Sequence, residues 1–471
     1  MTSTTGGVPD VPATADSGAL PVMFQDLEER PIPRKSVWSW AMWDWATQPF
    51  NSVILTFVFV SLFLVSDTFL PPEIAGLPDG DPVKESALAQ LSSGYGLVST
   101  LAGLAILLIA PILGQVADRR GRKKRWLLVA TVLLGLVQFS LFFVHADPAY
   151  FWYGAVMVSV GAVVSEIAGV NYNALLVSVS TPRTIGKVSG LGWGLGYIGG
   201  ILALVVVVVL TFVEWFGMDL SDGLAYRLIA VGCAVWTVAF AIPLFLNVPE
   251  PSAPAGPQPL GFFAWFREFF RSIRNLFRSH RSTAWFLLAS AVYRDGLAGV
   301  FAFGGVLAAV AFGFSPNEVM IFGIAANLVA GISTIIGGRL DDRFGARAVI
   351  VTSLSGLVTV AVVVFALHDA GKLPFWIFGL ALCAFVGPTQ ASTRSLLARV
   401  TPTHMQGEVF GLYATTGRVV SFLAPAMWTI FITAFGATYW GILGIAIVLA
   451  LGLVLLLFVK LPRQPRVVAG A

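Results

Sequence analysis

Apolar runs of eighteen or more residues recur along most of this 471-residue chain, and that is the length a helix needs to cross hydrocarbon. Lipid offers no hydrogen-bond partner to open backbone, so such runs must close their own bonds as helices. A barrel would instead alternate polar and apolar residues in short strands. Composition agrees: 57% of the residues are hydrophobic and 11% charged, where a soluble domain carries about a quarter charged. The sequence therefore predicts an all-α polytopic membrane protein.

Windowing the apolar runs places spans near 38–66, 94–115, 125–145, 150–178, 188–213, 225–246, 285–311, 317–338, 347–367, 373–398, 408–431 and 437–459, a count of twelve. Basic residues fall on one side. Arg119, Arg120, Arg122, Lys123, Lys124 and Arg125 follow the second span; Arg183, Lys187, Arg339, Arg343, Arg347 and Arg399 follow the fourth, eighth and tenth. Residues 67–90 instead hold Asp67, Glu73, Asp79, Asp81 and Glu85 against Lys84. The positive-inside rule then predicts that both termini are cytosolic; the expected location is the plasma (inner) membrane. Expected divisions are a disordered cytosolic tail at 1–36, a six-helix bundle at 37–246, a linker at 247–284, a second six-helix bundle at 285–460 and a tail at 461–471. Within the linker, residues 261–280 carry Phe262, Phe266, Phe269, Ile273 and Leu276 on one helical face and Arg267, Arg271, Arg274 and Arg278 on another. That pattern predicts a helix lying on the inner leaflet, or else the cytosolic entry of the seventh span.

The chain repeats itself. Gly114-Gln-Val-Ala-Asp-Arg-Arg-Gly-Arg-Lys123 returns in weakened form at Gly338-Arg-Leu-Asp-Asp-Arg-Phe-Gly-Ala-Arg347, 224 residues on. Leu175-Leu176 corresponds to Leu396-Leu397, and Val188-Ser-Gly190 to Val409-Phe-Gly411, both at 221. Six spans per half, an even number, make the repeats parallel in the membrane, with a cavity where the bundles face each other. In each basic loop the carboxylate, Asp118 or Asp342, can accept hydrogen bonds from a neighbouring helix's free N-H groups and pair with an arginine. Gly114 and Gly338 permit close passage. Together with Arg119, Gly121, Arg122 and Arg343 they form a candidate latch on the cytosolic side.

Polar side chains inside spans are expensive, and they are expected to face the bundle interior. Asp44, Gln48 and Asn51 share a face of the first span; alternatively Asp44 belongs to the helix start in an aromatic belt of Trp38, Trp40, Trp43 and Trp45. Span four offers Glu166, a mid-membrane candidate for proton exchange, with Asn171 and Asn173. In span seven, Arg294 and Asp295 point about 100° apart, so one is expected to look into the cavity and the other toward a neighbour. Asn327 reads as an amide bridging two helices. Gln390 and Arg394 share a face of span ten, and Arg418 lies in span eleven. These cations can receive a substrate carboxylate or pair with Glu166 or Asp295 in a gate.

No Walker-type loop occurs, the four histidines are scattered, and Cys233 and Cys383 each stand alone in apolar runs. No cofactor, metal site, disulfide framework or nucleic-acid partner is expected, and no soluble segment is long enough for an enzyme domain.

The loop at Gly114–Lys123 resembles the signature loop of the major facilitator superfamily. Within it, Trp43-Asp-Trp-Ala46, Tyr172-Asn-Ala-Leu-Leu176, Val188-Ser-Gly-Leu-Gly-Trp-Gly-Leu-Gly-Tyr197, Tyr293-Arg-Asp-Gly296 and Arg394-Ser-Leu-Leu-Ala-Arg399 make the chain similar to the vacuole-effluxer-like group. That resemblance implies alternating-access transport of an amino acid or similar small solute, coupled to protons, by a protein that works as a monomer among membrane lipids. Thr47-Gln-Pro49 and Arg294 depart from the commoner pattern near the expected cavity. An exporter of amphiphilic or aromatic solutes or drugs thus stands as an alternative, and a non-transporting sensor or scaffold as a third.

Overall fold

The computed structural model describes residues 31–78, 81–212, 223–250, 267, 271, 274–278, 281–314, 316–401 and 405–460. Among them all long elements are helical: α1 Arg34–Pro49, α2 Pro82–Arg120, α3 Lys123–Ser140, α4 Phe151–Ala174, α5 Ile185–Phe212, α6 Leu224–Asn247, α7 Arg281–Val306, α8 Pro316–Phe344, α9 Ala346–Ala366, α10 Lys372–Val400, α11 Gln406–Val420, α12 Leu423–Phe435 and α13 Gly441–Phe458. Eleven helical stretches of the described residues are long and apolar enough to cross a membrane. The 39-residue α2 occupies the expected second span. Residues 1–30, most of 251–280 and 461–471 lie outside the described residues, and with them both tails and most of the expected amphipathic helix. Residues 274–278 are helical, with Leu276 buried and Arg274 and Arg278 exposed.

Two of the irregular spans have a reason in the sequence. The first span continues past α1 as π-helix over Phe50–Phe57 and Phe59–Leu64. Pro49 has no N-H to give the Trp45 carbonyl one turn back, and that carbonyl instead accepts the Trp236 indole N-H from α6 at 3.2 Å. In the widened coil Thr56 and Ser61 hydroxyls reach back five residues, to Asn51 and Thr56 carbonyls, at 2.7 and 2.5 Å, the i to i−5 spacing of a π-helix. The expected eleventh span, 408–431, is two helices broken at Ser421 and Phe422. Pro425 in the first turn of α12 removes one N-H, and the Ala424 N-H is taken by the Asp295 carboxylate at 2.6 Å.

The helices pack as two groups. In the first, α1 lies against α5 and α6, α3 against α4 and α6, and α2 against α4; in the second, α10 lies against α8 and α9, and α13 against α7, α9 and α12. The groups meet where α5 crosses α8 and α10, and where α11 crosses α2 and α4. The π-helical end of the first span and α12 make their main contacts within their own groups. The seam is therefore closed at the end that carries the basic loops, called here the basic end. There α5 and α8 touch backbone to backbone. A Cβ on Gly190 would stand 2.8 Å from the Gly338 Cα, and one on Gly338 would stand 2.5 Å from the Gly186 carbonyl oxygen.

The Trp236 donor and the missing Pro49 N-H form a coupled pair. W236F should lower the unfolding midpoint in detergent by orphaning the Trp45 carbonyl. In a P49A background the cost should be about 1 kcal/mol smaller, because the substituted alanine brings back an N-H that can return to that carbonyl. A double-mutant cycle of thermal unfolding reads the coupling.

Candidate functional site

Burying a guanidinium is costly unless every donor finds a partner, and Arg394 is 3% exposed. Its helix, α10, belongs to the second group; its partners belong to the first. The Nε donates to the Ser189 hydroxyl at 3.0 Å and an Nη to the Ser189 carbonyl at 2.6 Å. The other Nη donates to Asn173 Oδ1 at 3.2 Å and to Asp44 Oδ2 at 3.3 Å. The same Asp44 oxygen accepts the Tyr172 hydroxyl at 2.9 Å. Tyr172 stacks between Trp40 and Trp43, with centroids 4.4 and 4.5 Å away, while the Trp40 indole N-H donates to the Tyr172 carbonyl at 3.2 Å. The Arg394 guanidinium also lies within 6 Å of the Trp40, Tyr172 and Trp193 rings, a distance at which ring quadrupoles stabilise a cation. Gly192 leaves the space: a Cβ there would meet Asp44, Arg394 and Trp40 at 2.8 to 2.9 Å. Asp44 is thus an interior residue of the inter-group network and not only part of a helix start.

One turn before Arg394, Gln390 accepts the Tyr197 hydroxyl at 2.8 Å across the seam. Tyr197 also stacks with Phe301 of α7 at 6.1 Å. Gln48 contacts Ser52 at 3.5 Å on its own helix. A second inter-group ion pair, Arg418 with Glu166 at 3.5 Å, is looser and wetter, with side chains 45% and 34% exposed.

Toward the basic end, the Asp342 carboxylate accepts the Gly186 and Lys187 backbone N-H groups, both at 2.7 Å. These are free donors in the first turn of α5, in the other group, where the helix dipole also favours an anion. Arg399 bridges Asp342, at 3.0 Å, and the fully buried Asp341, which also accepts the Ser395 hydroxyl. Gly345 follows α8 with φ 90°, and Gly121 follows α2 with φ 58°, a positive-φ glycine at the same place in both copies of the loop. Arg343 and Arg122 are exposed. The side chains of Asp118 and Arg119, and the surroundings of Gly114, lie outside the described residues.

The remaining candidates lie outside these contacts. Arg294 and Asp295 both engage the eleventh span. Arg294 donates to the Tyr413 carbonyl at 2.8 Å and lies 3.5 Å over that ring, while Asp295 caps α12. Asn171 donates to the Ile167 carbonyl of its own helix, and its buried Oδ1 has no protein partner. Asn327 likewise bonds its own helix, at the Gly323 carbonyl, and does not bridge two. Asn51 is half-buried. Sequence reasoning passed over Tyr172, Ser189, Asp341, Ser395 and Arg399 as site residues. The pattern Arg394-Ser-Leu-Leu-Ala-Arg399 did hold the signal, since residues one and five apart flank the seam on α10.

Comparisons with known proteins bear on the family and the fold. Residues 177–467 match the family described as "Vacuole effluxer Atg22 like". The chain is 25% identical over 434 residues, 89% of its length and 94% of the relative's, to the uncharacterized MFS-type transporter YxiO of Bacillus subtilis. Among solved structures it resembles the human organic anion transporter MFSD10, with TM-score 0.67 and 15% identity over 91% of this chain and all of that one. It also resembles the E. coli fucose:proton symporter FucP, with TM-score 0.63 and 15% identity over 93% and 99%. At such identities these structures establish the major-facilitator fold alone.

If Asp342 holds the basic end shut, D342A leaves two α5 N-H groups without their acceptor and Arg399 with Asp341 alone. A cysteine placed at the buried Val188, in a chain whose buried Cys233 and Cys383 are replaced by serine, should then react about tenfold faster with a water-soluble thiol reagent applied at the basic end. D342N, which keeps an acceptor, should fall between.

Proposed function

The chain belongs to the vacuole effluxer Atg22-like family, and from that premise we propose that it is a secondary active transporter moving an amino acid or related zwitterion by alternating access with proton coupling. The observation that carries this reading is the pair of ion pairs spanning the two helix groups, Asp44 with Arg394 and Glu166 with Arg418. Charges that join two moving bodies must part when the seam opens, and a solute or a proton can be what parts them. The Glu166–Arg418 pair is long and half-exposed, so it costs little to separate. A zwitterion can insert its carboxylate toward Arg418 and its ammonium toward Glu166, with Gln48, Asn51, Asn173 and Gln390 as neighbouring polar groups. Asp44, once protonated, no longer balances Arg394, and this couples proton uptake to opening of the basic end.

In this reading α2 is a twelfth crossing beside the eleven, and the two groups are parallel six-span repeats at 37–246 and 285–460. The basic end faces the cytosol with both termini, in the plasma membrane, and a monomer suffices. Gly114, Asp118, Arg119, Gly121 and Arg122, which correspond to 338–346 at an offset of 224, serve α11 as Asp342 serves α5; the packing of α2 on α11 supports this. Asp295 holds the break in the eleventh span, Arg294 holds Tyr413 before it, and both meet the solute only indirectly.

A second reading, export of aromatic or amphiphilic solutes, is favoured by the Trp193, Tyr197 and Phe301 rings along the seam.

Uptake into proteoliposomes across the twenty amino acids, with and without an imposed pH gradient, separates these readings. The transporter of zwitterions gives gradient-dependent flux for at least one amino acid. E166Q and R418Q each lower that flux at least about tenfold through lost charge complementarity, and D44N uncouples it from the gradient. Absence of gradient-dependent flux for all twenty contradicts the reading, and flux of aromatic amines or drugs alone favours the second.

A further inference from the structure

A cleft of about 740 Å³ lies at the basic end, where the start of α1, the start of α5 and the last turns of α8 meet. Arg34, Lys187 and Arg339 line it, and its lining includes no aspartate or glutamate. Among the described residues none of these three cations forms an ion pair; Arg339 only donates back to the Ile335 carbonyl of its own helix at 3.3 Å. The rest of the wall is mainly apolar, with Val37, Ile335 and Trp38, and Trp38 is 53% exposed. Three like charges lining one cleft, with the nearby Asp342 carboxylate turned to backbone N-H groups and Arg399, favour an anion there. An exposed tryptophan beside basic groups at the end of a spanning helix also marks the level of lipid headgroups.

We propose that this cleft binds one anionic phospholipid of the leaflet on the basic side. Its phosphate lies against Arg34, Lys187 and Arg339, and its acyl chain runs along Val37, Trp38 and Ile335. Inorganic phosphate would satisfy the cations and leave the apolar wall uncovered. A zwitterionic headgroup would bring its own cation against three others. Basic pockets between spanning helices on this side of a bilayer are suited to such lipids. Arg34 and Lys187 belong to the first helix group and Arg339 to the second, so a lipid touching all three ties the groups together beside the Gly190–Gly338 crossing. By linkage, binding then favours the arrangement closed at the basic end. This inference does not depend on which solute is carried.

Native mass spectrometry of the full chain in detergent, titrated with dioleoyl phosphatidylglycerol, dioleoyl phosphatidylcholine or inorganic phosphate, provides the test. Each cation near a charged headgroup is worth about a fivefold change in affinity. The triple variant R34Q, K187Q, R339Q should therefore lose at least about tenfold in phosphatidylglycerol affinity. A charge-matched control at exposed positions, R120Q, R125Q and K460Q, should lose less than about threefold, and both variants are compared at equal helix content and monodispersity. Equal affinity for the two lipids, equal losses in the two variants, or phosphate displacing the lipid at its own binding concentration would overturn the proposal. So would a lipid adduct that forms only after deletion of residues 1–29, whose Asp26, Glu28 and Glu29 offer the same cations a competing acidic ligand.

Discussion

A guanidinium withdrawn from water must find all its partners in protein, and Arg394 finds its partners across a seam between two bodies of helices. The cost of burying one charge is of the same order as the stability of a domain. The contact is therefore decisive: with Asp44, Asn173 and Ser189 in reach the groups close, and without them Arg394 opposes closure. Other features serve this contact. Gly192 clears the volume, the Trp40–Tyr172–Trp43 stack fixes the hydroxyl that steadies Asp44, and the Gly190–Gly338 crossing brings α5 close enough to α10's neighbour α8 for the distances to hold.

Beneath it, the Asp342 carboxylate uses a different kind of interaction for the same end. Helix starts leave N-H groups without partners, and the first turn of α5 satisfies two of them with a side chain from the opposite group. Such a contact is strong while it is dry and easily replaced by water once parted, which suits a seam that opens and closes. The Arg399 bridge to Asp341 and Asp342 keeps two adjacent carboxylates from repelling each other and fixes the orientation of the one that reaches across.

Much of this was legible in the residues. Apolar run lengths give the helices, and the repeat of 114–123 at 338–347 singles out Asp342, the carboxylate that reaches across the seam. A four-residue spacing puts Gln390 and Arg394 on one face, and the cost of charge in lipid draws attention to Asp44, Glu166 and Arg418. The acceptor role of Asp342 toward a neighbouring helix start follows from elementary helix chemistry. What was not legible depends on rotation and pairing. In Asp341-Asp342 one residue turns inward to Arg399 and the other across the seam, and a sequence does not say which. Arg399 reads as a topology charge because loop arginines usually are. The partners of Arg294 and Asp295 are hidden because the eleventh span reads as one apolar run; the break after Val420, which Asp295 caps, is signalled only by Pro425.

Closure of the basic end rests above all on Arg394 as the bridge between the groups. Spin labels on the exposed Thr184 and Phe344, at the ends of α5 and α8, report that separation by pulsed electron resonance in nanodiscs. The wild-type chain should give mainly a short distance, and R394Q should add a longer one as the groups part. An unchanged distance distribution in R394Q, with the fold intact, would contradict that role.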